Sequence, residues 1–200
     1  PPEPEPAPEP ELDIVALTGI GPVTGIAQVG QVLTAGPLSP ADATTQYEWQ
    51  RCNTADGSYD EIEAVSSDIY TLSASDFDYY IRVAATGTGA YEGTVISAPV
   101  GRVAAAPIGM PSIAVEAPVT GGIPQSAIHE NEEYTGVIAW EPAAGSFESG
   151  VAYTATITLT PNTGYTLIGV PANFFTVTGA ESAMNTVNSG IITAVFPAAL

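Results

Sequence analysis

The stretch YTATITLT, residues 153–160, alternates with a strict period of two. Tyr153, Ala155, Ile157 and Leu159 fall on one side, and Thr154, Thr156, Thr158 and Thr160 on the other. Only an extended strand sorts residues in this way, and a strand with one apolar and one hydroxylated side belongs to a sheet with one face buried and one wet. Weaker versions of the pattern fill the chain. Helical periodicity is nearly absent, and short runs rich in Val, Ile, Thr and Tyr are broken about every eight to twelve residues by Gly, Pro, Asn or Asp.

Strands are therefore expected in the first half at 12–17, 29–35, 46–52, 69–72, 80–86 and 94–103, with a weak one at 61–64. In the second half they are expected at 113–116, 126–129, 137–140, 153–160, 165–170, 174–178 and 191–196. Two segments have no place in such strands. The opening PPEPEPAPEP contains only Pro, Glu and one Ala. Each Pro fixes φ, removes a donor and pushes its predecessor towards extended geometry, so this stretch reads as a stiff polyproline spacer. The uncharged AAAPIGMPS at 104–112 reads as a connection between domains. The expected organisation is a spacer at 1–11, a β-sandwich at 12–103, a linker at 104–112 and a second β-sandwich at 113–200.

Charge narrows the choice of partners. There are 22 acidic residues against three basic ones, Arg51, Arg82 and Arg102, and no Lys, for a net charge of −19. Phosphate would be repelled from such a surface, which argues against nucleic acid and anionic lipid as ligands. Lys-based isopeptide cross-links within the chain are excluded. Cys52 is the single cysteine, so no intrachain disulfide forms, and it reads as a partly buried residue beside a strand. No apolar run approaches the ~18 residues that span a bilayer, so membrane insertion is not expected.

Residues 29–101 carry a Tyr47-x-Trp49-x-Arg51 strand, an ADG-x-Y turn ending at Tyr59, a Tyr70-x-Leu72 strand and a corner from Asp76 to Tyr80. Together with the Gly-rich hairpin at 86–93, this set resembles the bacterial immunoglobulin-like repeats of large cell-surface proteins. The resemblance implies Trp49 as the central core aromatic and Tyr80 as a corner tyrosine. Asp78 departs from it, because such corners commonly carry Gly. Residues 117–198, with the core YTATITLTPNTGYT and ANFFTVTGA, are similar to a second tandem surface repeat found beside S-layer-homology modules. The fold class implied is all-β: two tandem immunoglobulin-like antiparallel β-sandwiches behind an N-terminal Pro/Glu-rich extended segment. After Tyr80, the apolar set Ile81, Val83 and Ala85 is expected to face inward and Arg82 outward, because an unpaired buried guanidinium costs several kcal/mol.

Chemistry-bearing patterns are sparse. His129 is the one histidine and has no nucleophile elbow, and Cys52 lacks a nucleophile signature. The GTGAYEG at 87–93 has the wrong spacing for a phosphate loop and acidic surroundings. Catalytic, cofactor-binding and resident-metal residues are all read as none, and the chain as a non-enzyme. Two turns offer hard oxygen ligands for Ca²⁺: Asp56, Asp60, Glu61 and Glu63 in one, Asp76 and Asp78 in the other. Neither has EF-hand spacing. Exposed Tyr59, Tyr79, Tyr91 and Tyr134 are candidates for a sugar-stacking platform.

The function these features imply is a structural module of an extracellular cell-surface protein that assembles into a filament, layer or repeat array. Its partners are neighbouring copies or domains, with the spacer or strand 12–17 as docking elements. The alternative is a carbohydrate-binding or adhesive module that recognises a surface glycan.

Overall fold

Wherever the sequence alternates most regularly, the backbone is extended. The computed structural model describes residues 13–62 and 66–200. The spacer at 1–11, the start of the strand expected at 12–17, the end of the one at 61–64 and Glu63 lie outside the described residues. The molecule is all-β, with several antiparallel sheets; among the described residues the single helical element is a 3-10 turn, Ala74–Asp76. Among the described residues no helix is long and apolar enough to cross a membrane.

The chain divides into two compact units. The first holds the described residues up to Ala27, Gln31–Leu72 and Asp78–Val103, and the second holds Gln28–Gly30, Ser73–Phe77 and Ala104–Leu200. Two short pieces of the expected first domain thus belong to the second unit. Residues 104–112 also differ from a free connection. Ala106–Pro107 pairs in parallel with Tyr165–Thr166, and Ile108 is buried at 3% exposure. Pro107 is accommodated because its neighbours do the donating: the amides of Ala106 and Ile108 reach the carbonyls of Gly164 and Thr166.

In the first unit, the strands Thr94–Ile96, Tyr80–Gly87, Thr45–Cys52 and Asp60–Glu61 form one antiparallel sheet in that order. Trp49 lies opposite Val83, and Cys52 opposite Tyr80. A second sheet joins Thr24–Gly25, Val32–Thr34 and Ile69–Thr71. Trp49 on the larger sheet meets Tyr70 on the smaller, with centroids 5.6 Å apart, and its indole N–H donates to the Ser67 carbonyl at 2.9 Å. Ile81, Val83 and Ala85 are fully buried and Arg82 is not, as the cost of an unpaired buried guanidinium requires. Gly25 is obligatory in this unit: its φ is +122°, and a Cβ there would stand 2.3 Å from the Val32 carbonyl oxygen.

The second unit is built on the strands Tyr134–Glu141, Ala152–Pro161, Ile191–Ala198 and Ser182–Asn185, antiparallel and in that order. Ser112–Ile113 pairs in parallel with Thr176–Val177. The alternation of YTATITLT holds residue by residue: Tyr153, Ala155, Ile157 and Leu159 are buried, while Thr156, Thr158 and Thr160 are exposed. Phe147 packs between Trp140 and Tyr153, with centroids at 5.1 and 4.7 Å, and Trp140 meets Phe196 at 5.2 Å. The stretch 126–129 contributes only a bridge, Ala127 to Val137.

Candidate functional site

The three cations of the chain all sit on tyrosine rings of the first unit. Arg82 leaves the outward side of its strand beside Gln50, whose side-chain oxygen accepts from Nε at 2.7 Å. The Arg82 guanidinium lies 3.9 Å from the Tyr59 ring centroid, Arg51 lies 5.3 Å from Tyr79 and Arg102 lies 5.7 Å from Tyr80. Such contacts favour a weakly hydrated guanidinium over an ammonium, which suits a chain without Lys. The Tyr59 hydroxyl donates to the Ala55 carbonyl at 3.0 Å and so pins the ADG turn. Burial pushes the Tyr59 phenol up, reinforced by Cys52 and opposed by Arg82.

The turn packs Cys52 away. Its thiol is buried, with Asn53 and Thr54 oxygens at 3.8 Å, and a Cβ on Gly57 would stand 2.5 Å from it. Close approach of the backbone at Gly57 is what allows the turn to fold over the sulfur.

Of the tyrosines considered for a sugar platform, Tyr59, Tyr79 and Tyr91 are half-buried. A side-chain hydrogen bond to Asp42 raises the Tyr91 phenol, with burial adding to it. Tyr134 does not belong with them. It is fully buried, edge-on to Phe175 at 6.1 Å, and its hydroxyl donates to the Met110 carbonyl at 3.1 Å. Parity gives the reason: Tyr134, Ile138 and Trp140 share one side of their strand, the side that faces the core.

The acidic turns divide their carboxylates among separate tasks. Asp76 is fully buried, and one of its oxygens accepts from both the amide and the hydroxyl of Ser73, each at 2.8 Å. This closes the 3-10 turn as a capping carboxylate does. Asp78, two residues on, is exposed and ion-paired with Arg102. Asp60 and Glu61 lie on adjacent positions of an edge strand, opposite Arg51 and Gln50 respectively, so their side chains leave opposite sides of the sheet. Among the described residues, no three His, Cys, Asp or Glu side chains gather as a metal site. His129 is exposed, beside Glu130 and Asn131 on a recess of about 170 Å³.

Sequence reasoning overlooked Asn185. It is buried in the edge strand Ser182–Asn185, where its side-chain oxygen accepts from the Phe174 amide at 2.9 Å. Its amide nitrogen donates to the carbonyls of Pro171 and Thr186 at 3.0 and 2.9 Å. One face of this strand borders an open groove of about 710 Å³ lined by Met184, Val187, Ile191 and Thr193. The groove runs into the outward face of the sheet. No protein-family model matches the chain, and no curated protein matches it.

Proposed function

We propose that the chain is a structural module of an extracellular cell-surface protein, made of two immunoglobulin-like β-sandwiches, which works by associating with neighbouring copies in a filament, layer or repeat array. One observation carries this reading: each unit holds a four-stranded sheet with one buried and one outward side. Two buried polar side chains are committed to internal contacts, Asp76 on Ser73 and Asn185 on Phe174. In the first unit the Trp49–Tyr70 contact links two sheets through their apolar sides, which supports a sandwich. The extracellular setting is our reading from the resemblance of the motifs at 29–101 and 117–198 to surface repeats, and the acidic, hydroxyl-rich composition suits it.

Negative-stain microscopy of the purified chain over a range of concentrations and salt tests the proposal. Ordered polymers or sheets are expected; dispersed monomers under every condition would overturn it. A second reading, a glycan-binding or adhesive module, draws support from the half-exposed Tyr59 and Tyr79 with their arginines. It requires glycan-array binding that is lost in Tyr59→Ala and Tyr79→Ala.

A further inference from the structure

We propose that the outward face of the second unit's four-stranded sheet is the surface on which two copies of this chain pair, face to face. The proposal rests on the assembly reading and names the contact. Cross-strand register places Val137, Thr158 and Ile191 in one row of that face, and Ala139, Thr156, Thr193 and Met184 in the next. Val137 is 61% exposed, Ile191 57% and Met184 57%, and Val187, at 62%, extends the patch past the edge strand. Isolated exposed aliphatics are ordinary, but aligned neighbours in register are a surface.

Charge selects the occupant. Residues 104–200 hold seven Glu and no Asp, Lys or Arg, so this unit repels its own copies. On the sheet face itself the one ionisable group is Glu141, in the corner row with Thr154, Val195 and Ser182. A basic partner would be drawn to the acidic turns and would gain nothing on this face. A second copy of an acidic chain approaches most easily where neither surface is charged, and Thr, Val, Ile and Ala on both sides suit aligned sheet packing about 10 Å apart.

Area sets the strength. Three strands of about eight residues, each rising ~3.4 Å per residue and spaced ~4.8 Å, with the short edge strand, give a footprint of roughly 450 Å² per copy. Both copies together bury about 900 Å², below the ~1,200 Å² at which stable pairs begin. The contact is weak alone and gains strength where copies are already tethered in an array. Because identical faces meet, it is two-fold and closes as a pair, so a polymer needs another contact besides.

Sedimentation velocity of the full chain, from about 10 to 500 µM, at about 20 mM and 500 mM NaCl, tests this. Concentration-dependent pairing is expected, stronger in high salt, where repulsion between acidic copies is screened. Ile191→Glu should weaken it at least tenfold and Ile191→Thr by a smaller factor, with thermal melts confirming that both variants fold. Val119→Glu, at an exposed residue away from the sheet, should pair as the parent does. Unaltered pairing in a folded Ile191→Glu, or no pairing by the parent at any concentration or salt, would overturn the proposal. Polymers formed while Ile191→Glu leaves pairing unaltered would sink this contact and leave the assembly reading standing. Face-dependent pairs without polymers would do the reverse.

Discussion

Asp78 shows how one side chain reconciles two local demands. Its φ of +67° lies in the left-handed region, which a short polar residue enters at modest cost and a β-branched one does not. The carboxylate recovers part of that cost through Arg102, but both side chains are more than half exposed, so solvent screening leaves the pair little net worth. Asp78→Gly is therefore expected to leave stability within about 1 kcal/mol of the parent, and Asp78→Val to lose about 1–3 kcal/mol, read from urea midpoints. Tyr134 is governed by burial instead. Removal from water pushes its phenol up, so the folded state prefers the neutral form. Its stabilising effect is full below the unfolded value near pH ~10 and fades as pH climbs through it towards the folded one. Tyr134→Phe should cost about 0.5–1.5 kcal/mol at pH 7 through the lost bond to Met110. The gap to the parent should narrow in melts above pH ~10.

Along a strand, the question is how far period-two alternation decides energetics. Ile157 is fully buried at the centre of Ala152–Pro161, and Thr156 beside it faces out. Ile157→Ala should cost about 2–5 kcal/mol and Thr156→Ala stay within about 0.5 kcal/mol, measured by chemical denaturation. Ala152–Pro161 was legible because burial keeps one parity from Tyr153 to Thr160, whereas in Thr45–Cys52 Trp49 and Cys52, of opposite parity, are both buried. Two-residue pairs such as Gly19–Ile20 with Leu38–Ser39 have no period to read and exist only through tertiary pairing. Ser182–Asn185 misleads further, for its polar Asn185 points in and its Met184 points out, the reverse of a simple hydrophobicity rule. Tyr134 was readable by parity with Ile138 and Trp140, but residue type suggested a surface ring instead. For the outward face, composition told that Thr would be exposed. Only the register reveals that Val137, Thr158 and Ile191 stand side by side.

For the whole chain, the imbalance of charge outweighs any single contact. With a net charge of −19, compaction brings like charges together, and the three arginines relieve this only in the first unit. Raising NaCl from about 10 to 300 mM should raise the thermal midpoint by several degrees, as screening outlasts the loss of weak surface pairs. Calorimetry decides it, and a flat or falling midpoint would deny that repulsion limits stability. The placement of those arginines has another consequence. Trypsin, which cleaves only after Lys or Arg, can open this polypeptide at just three bonds, and the last follows the half-exposed Arg102, one residue before the first unit ends at Val103. Everything beyond that bond survives digestion intact, folded or not, so a common protease excises residues 103–200 in one piece.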